Sequence, residues 1–339
     1  MVMIKKLTSS LTKLFTPEYV LLWILFLMIV GFSIASPVFR RPDNLMDIVR
    51  ASATNALMVL GLTWIVATGE IDITFPDIAA LASMVTAYGV FNGWSWGVSV
   101  LIAILACSLY GLLSGFLVNK FLFRSLIATI GVSVLAKSTA YIIGSGSPIY
   151  LLKISPTIQA IVYGKIGGVV PFLMVLVIVL YILASILQNY TKLGQYLYAM
   201  GENRKASFEA GIPEKTILYS LFILSAGLAS FAGILQLALY SSGQPNFQGS
   251  YFVDGLTAVF LGALVIKLGK PNVIGTFIGA IFIIVLSNGL TLLNIPFFYG
   301  LIIKGFLMIV GVTVIALTKS QFYASIKTRR LRQVAAAGD

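Results

Sequence analysis

The chain has no histidine and a single cysteine, Cys107, set inside an apolar run. That removes the usual near-neutral general base and the commonest transition-metal ligand, so neither acid–base catalysis nor a resident metal is expected. No Gly-x4-Gly-Lys-Ser/Thr phosphate loop occurs in the sequence, so nucleotide hydrolysis by that route would have to come from another polypeptide. The residues that remain available for chemistry are acids, amides and a few cations among apolar neighbours. Three carboxylates crowd into "GEIDITFPD" (69–77). Thr74 and Asp77 have the spacing of a capping box, with Pro76 in the first turn, which gives Asp77 a structural role. Glu70 and Asp72 have no such role. At membrane depth they would be proton sites, pairing partners or acceptors for the hydroxyls of a polar solute; at a membrane surface they would simply be solvated. Asn55, Gln236 and Asn288 also interrupt apolar runs, either to bond neighbouring helices or to line a path for a polar solute. Arg50 and Lys304 are expected to snorkel outward. Lys137 lies deeper and calls for a counter-charge or a cavity. Asp254 would cap its helix or face a docking protein.

Composition says what must position these groups. The chain is 59% hydrophobic with a mean hydropathy of +0.99, and only 10% of it is charged, where a soluble domain keeps about a quarter. Hydrocarbon explains the deficit, since burying charge in it is costly. The sequence therefore predicts an all-α polytopic membrane protein, because backbone groups inside lipid must be satisfied within their own segment. About ten runs approach the length needed to cross: 19–39, 46–68, 75–92, 95–121, 125–143, 169–188, 215–240, 252–268, 272–293 and 297–317. Of these, 75–92 and 252–268 are the shortest. The implied organisation is an N-terminal segment 1–18, a transmembrane domain 19–317 with a cytoplasmic loop 189–214, and a basic tail 318–339. Within residues 4–15, Ile4, Leu7, Leu11, Leu14 and Phe15 recur at helical spacing beside Lys5, Lys6 and Lys13. That pattern fits a helix lying on the membrane surface as well as a frayed tail. "SIAS" (33–36) offers small residues for a signal peptidase, but the preceding apolar run is too long for a signal, so no cleavage is expected.

A net charge of +12 would suit nucleic acid, yet the cations sit at span edges and termini, the arrangement that sets membrane orientation. With the N-terminus in the cytoplasm, inside segments carry sixteen lysines and arginines. Outside segments carry four: Arg40, Arg41, Lys153 and Lys165. Both termini are therefore expected to be cytoplasmic, with an even number of spans.

Loop 189–214 is the polar exception. Asn203 is a good helix N-cap, Gly211 can take the left-handed conformation that ends a helix, and Pro213 suits the first turn of the next. Between them "RKASFEA" (204–210) makes about 10 Å of helix. A short rigid helix between two turns is the reading, with Phe208 as an exposed apolar anchor; a solvated loop is the alternative. The stretch "GENRKASFEAGIPEK" (201–215) resembles the coupling-helix region of ABC-importer permeases. It is more similar still to the ribose-type sugar permeases, whose Gly-x-Asn-x-x-Ala-x-x-x-x-Gly-Ile pattern falls on Gly201, Asn203, Ala206, Gly211 and Ile212. Three further stretches agree in order: "ATGEIDITFPDIAALASM" (67–84), "LIATIGVSVLAKSTAYIIGSGSPI" (126–149) and "SSGQPNFQGSYFVDGLTAVFLGA" (241–263). Together the similarity spans residues 45–317. Glu70 departs from it, standing where the family usually has glycine, as does the Phe75–Pro76 pair. "LVIKLGKPNVIGT" (264–276) lacks the common Gly-Gly-x-Gly-Ser.

The resemblance implies a multi-pass subunit of a bacterial cytoplasmic (inner) membrane importer. It implies that Gly201, Glu202, Asn203, Arg204, Lys205, Phe208, Glu209, Gly211 and Ile212 dock in a groove of a separate ATP-binding cassette ATPase, which would bind ATP and magnesium. It further implies a soluble sugar-binding protein, periplasmic or extracellular, received by the outer loops, with Gln244, Pro245, Tyr251 and Asp254 as docking candidates. Asn55, Glu70, Asp72, Gln236 and Asn288 are the substrate-pathway candidates. The chain would act as a homodimer or beside a related permease, with one pathway on the two-fold axis. It would need no cofactor and perform no covalent chemistry. The competing reading is an ion-coupled secondary transporter, which calls for titratable groups at the bilayer midplane and inverted repeats. Glu70 and Asp72 are the sole clustered candidates for that, and no convincing repeat occurs. An intramembrane enzyme lacks both histidine and paired acids deep in a span.

Overall fold

The computed structural model of the protein describes residues 19–246 and 248–336, with the side chains of 248–250 and of 318 onward left aside. The expected surface helix within residues 4–15 lies outside the described residues. Thirteen helices are described: α1 Val20–Ala35, α2 Pro42–Ala67, α3 Phe75–Phe91, α4 Trp96–Lys120, α5 Ser125–Ile143, α6 Pro156–Tyr163, α7 Phe172–Tyr190, α8 Lys192–Glu202, α9 Arg204–Glu209, α10 Glu214–Tyr240, α11 Gln248–Gly262, α12 Val273–Leu292 and α13 Phe297–Ala336. Seven of these contain a stretch long and apolar enough to cross a membrane: α2, α4, α5, α7, α10, α12 and the first half of α13. Helices α1 and α3, with residues 251–262 of α11, are apolar but shorter. Each of the ten expected spans thus meets an apolar helix, with two edges drawn back. The first ends at Ala35, where the chain turns before Pro42, and the eighth ends at Gly262 in a run of turns rather than reaching residue 268. The backbone of α13 stays helical to Ala336, across the boundary expected at 317.

Local chemistry sets several of the ends. Pro42 opens α2 with Asp43 in its first turn, where the helix dipole favours a carboxylate. The Ser95 hydroxyl accepts from the Val98 N–H to start α4, and Asn272 Oδ1 accepts from the Gly275 N–H at 2.8 Å to start α12.

Helix α10 is the central post, packed on α2, α3 and α4. It gets close by means of glycine. A Cβ on Gly233 would stand 2.0 Å from the Ala79 carbonyl oxygen of α3, and one on Gly61 of α2 would stand 2.4 Å from the Ser225 Cα. Such backbone contact is how helices associate in lipid, where apolar side chains gain nothing by leaving solvent. The second layer joins α11 and α12, with α12 returning to α2 and α11 covered by α13. The membrane segment of α13 is mostly exposed, with Phe297, Ile302, Phe306 and Ile309 bare. Two short antiparallel pairs close one end of the bundle. β1 (149–150) meets β4 (242–243) with Ile149 opposite Gly243, and β2 (165–166) meets β3 (170–171). The segment after α5 is therefore tied to the segment after α10, and α6 lies between β1 and β2 in sequence.

Candidate functional site: the junction at loop 189–214

Loop 189–214 holds two helices rather than the one expected. The Thr191 hydroxyl caps α8, and Asn203 then ends α8 and starts α9, its Oδ1 accepting from the Ala206 N–H at 3.1 Å. The Ala210 and Gly211 N–H groups return to Ala206 and Phe208, Gly211 takes φ +78°, and the Ile212 N–H reaches back to Ser207. The caps expected at Asn203 and Gly211 are both formed.

This element has two faces. Lys205, Phe208 and Glu209 point to solvent, with Phe208 71% exposed. On the other face Ser207 is buried, its hydroxyl donating to the Asn203 carbonyl. Arg204 there reaches two carboxylates at once: Nη1 donates to Glu70, and Nε donates to Glu214 at 3.2 Å. Glu70 belongs to the α2–α3 connection and Glu214 to the first turn of α10. A single guanidinium therefore links α9 to both. Gly201 makes the tightest contact. A Cβ there would stand 2.2 Å from the Ala67 carbonyl oxygen, so the end of α8 rests directly on the end of α2. Glu202 pairs with Lys270 at 3.0 Å. Lys267 and Lys270 both lie over the Tyr198 ring, at 5.2 and 5.6 Å, and the Tyr198 hydroxyl donates to the Pro271 carbonyl. The turn between α11 and α12 is thereby fastened to α8. Partial burial, and then the neighbouring charge of Lys270, pull the Lys267 ammonium below the ordinary lysine range. Burial pushes the Tyr198 phenol up to about 12.

Behind the junction sits Asp72. It is buried, which rules out the solvated alternative. Oδ1 accepts from the Thr74 N–H at 2.9 Å and from the Thr74 hydroxyl at 2.6 Å, and Oδ2 accepts from the Ser225 hydroxyl of α10 at 3.0 Å. The capping box expected between Thr74 and Asp77 is not formed. Thr74 has helical backbone angles and makes no side-chain cap, because its hydroxyl is committed to Asp72. Asp77 instead accepts from Ser133 of α5, and the charge of Lys137, one turn further along, acts on it. Lys137 therefore has its counter-charge.

The family profile described as "Branched-chain amino acid transport system / permease component" matches residues 44–312. The ribose import permease of Escherichia coli (strain K12) is 32% identical over 89% of this chain and 95% of its own length. That of Bacillus subtilis (strain 168) is 28% identical over 85% and 89%. The xylose/arabinose import permease of Sulfolobus acidocaldarius is 25% identical over 94% and 89%. The chain belongs to the ribose-type ABC-importer permeases. No solved structure matches it.

The remaining polar residues of this permease sort by partner. Asn288 exchanges two amide hydrogen bonds with Asn44 of α2, at 3.2 and 2.9 Å, the role of a tie between neighbouring helices. Asn55 is fully buried in α2, and neither its Oδ1 nor its Nδ2 finds a hydrogen-bond partner among the described residues. The Gln236 side chain hydrogen-bonds to the Tyr251 hydroxyl. Arg50 pairs with Asp47 at 3.2 Å and stacks over the Tyr163 ring at 5.1 Å.

One expectation is overturned. Lys304 does not snorkel: it is buried, and its Nζ lies 2.7 Å from Oδ1 of Asp254, which is buried as well. In the 241–246 loop Ser241 and Asn246 are exposed, while the residues between them turn inward. Pro245 is buried, and Gln244 folds onto α3, its N–H donating to Ser83 and its Nε2 to Ser242. Asp254 with Lys304 and Gln244 with Ser83 escaped the sequence reading because the partners lie far apart in the chain. The available signal was two opposite charges, Asp254 and Lys304, at matching depth in two apolar runs.

Proposed function

We propose that the protein is the membrane-spanning subunit of an ATP-driven importer for a small sugar, crossing the bilayer ten times with both termini in the cytoplasm. The observation that carries the reading is the α8–α9 junction. A capped helix with an exposed phenylalanine is fixed through Arg204 to the α2–α3 connection and to α10 at once. Lys205, Phe208 and Glu209 form the face offered to a separate ATP-binding cassette ATPase, while Gly201, Glu202, Arg204 and Ile212 hold the element to the bundle. Closure of the ATPases on ATP would displace α9 as a rigid body. The displacement passes through Glu214 into α10, and through Glu70 and Ala67 into α2 and α3, so the bundle opens alternately to either side. Two such permeases, identical or related, would enclose the pathway. A soluble binding protein in the periplasm or outside the cell would deliver sugar to the end closed by the β1–β4 pair. The relatives named for ribose and for xylose/arabinose support a pentose-sized cargo.

The test is uptake of D-ribose and D-xylose into proteoliposomes holding the permease with its ATPase and binding protein. Transport should require ATP and persist when ionophores collapse the ion gradients. Uptake that runs without ATP and stops with the gradients would establish an ion-coupled transporter instead.

A further inference from the structure

A cavity of about 300 Å³ lies among α10, α11, α12 and α13, toward the ends that meet the outer loops, and Tyr240, Tyr251, Asp254, Ser287, Thr291 and Lys304 supply its polar lining. Its size is at the small end for ligand pockets, which run from about 300 to 1,000 Å³. Three features distinguish it from a packing fault.

The first is the Asp254–Lys304 pair, both members buried, at 2.7 Å. Withdrawing two ions from water costs several kcal/mol each, and apolar residues would join two helices as well or better. An ion pair kept at a cavity wall therefore asks for a use. The second is a row of hydroxyls. The Tyr240 and Tyr251 oxygens are 3.3 Å apart, and Tyr251 is held in turn by Gln236. The third is that the Ser287 and Thr291 hydroxyls both donate to their own helix, to the Ile283 and Ser287 carbonyls at 2.7 and 2.8 Å. Their oxygens are left as acceptors.

We propose that this cavity is a subsite for a neutral polyol of monosaccharide size, with Asp254 accepting from one ligand hydroxyl and Lys304 donating to a neighbouring one. The pair carries no net charge, so it suits an uncharged ligand over an anion or a cation. The alternation of donors and acceptors around the wall suits a ring bearing hydroxyls over an aliphatic side chain. The assignment rests on the sugar-permease reading for its biological use, but its test does not depend on transport.

Cys107 is the sole cysteine and is buried. In the full-length permease carrying Cys107→Ser, Ser287→Cys would place a thiol on the cavity wall, with Thr291→Cys as a second variant should the first fail to fold. Right-side-out membrane vesicles are treated with a membrane-impermeant maleimide in rising D-ribose, D-xylose or L-leucine. Either sugar should slow labelling several-fold while leucine does not, and Asp254→Asn or Lys304→Met should abolish the protection. The exchange Asp254→Lys with Lys304→Asp keeps a pair between the helices. It should restore assembly without restoring protection, which a merely structural tie would not predict. Labelling unaffected by both sugars in both thiol variants, protection by leucine alone, or protection that survives Asp254→Asn and Lys304→Met would each overturn the assignment. Sugar protection without ATP-driven uptake would uphold the subsite and sink the importer; uptake without protection would do the reverse.

Discussion

The Arg204 guanidinium is the point at which the proposed coupling is most exposed to test. Its side chain is 48% exposed, while those of Glu70 and Glu214 are 13% and 10% exposed. With the charge half in water, each pair contributes at most about 1 kcal/mol. Replacing Arg204 by glutamine removes both pairs, about 1–2 kcal/mol in all, which moves the balance between a docked and a detached α9 by roughly 5–30-fold. Glu70→Gln removes one pair and should move it only a few-fold. The assay is the ratio of sugar molecules imported to ATP hydrolysed, in proteoliposomes holding the ATPase and the binding protein. The ratio should fall in the order wild type, Glu70→Gln, Arg204→Gln, with ATPase activity persisting as transport declines. In the double variant the effect of Glu70→Gln should largely vanish, since its partner is already gone. If the two substitutions prove independent, or if the ratio stays at the wild-type value in Arg204→Gln, force does not pass through this contact.

Four other outcomes are expected. Gly201→Ala presses a methyl group onto the Ala67 carbonyl. It should cost about 1–3 kcal/mol of stability, read as a lower melting temperature in detergent. Asp72→Ala strands the Thr74 N–H and the Ser225 hydroxyl and should cost about 1–3 kcal/mol, with Asp72→Asn milder because an amide oxygen still accepts. Phe208→Ala should leave permease stability unchanged but weaken ATPase binding by about 1–3 kcal/mol, the range of an aromatic interface anchor, measured by co-purification at graded ATPase concentration. Lys267 should lose its proton below the ordinary lysine value of 10.5, so the folded state binds fewer protons than the unfolded one in that window. Stability referable to it should rise slightly as pH climbs there, an increase absent in Lys267→Met.

The parts of the site legible in the sequence are those encoded by neighbours along the chain. Asn203 and Gly211 announce a short helix because caps act within one turn. Apolar run length announced the spans because lipid forces each backbone segment to satisfy itself. What stayed hidden were partners. Glu70 with Arg204, Asp72 with Ser225 and Asp254 with Lys304 are separated by tens to more than a hundred residues. Burial in one sequence shows only that such a group needs a partner, not which one. The Thr74–Asp77 spacing misled for the same reason: the Asp72 carboxylate, two residues away, competes better for the Thr74 hydroxyl than a helix end does. Helix α8 was legible only in part: Leu193, Leu197 and Met200 recur at helical spacing, but Lys192, Gly194 and Gln195 break the hydropathy of so short a run, and the Gly201 contact leaves no mark in it.

Helix α10 is pinned at both extremities. Glu214 in its first turn is gripped by Arg204, and just past its last turn Ser242 and Gly243 pair with Tyr150 and Ile149. With 27 residues it is about 40 Å long. A connecting rod of that span, bolted at the crank and at the valve, has little slack to absorb a stroke. On the proposed coupling, a shove delivered at the α9 end should reappear at the β1–β4 end, and anything that stiffens the two-strand clasp there should stall the engine from the far end of the rod.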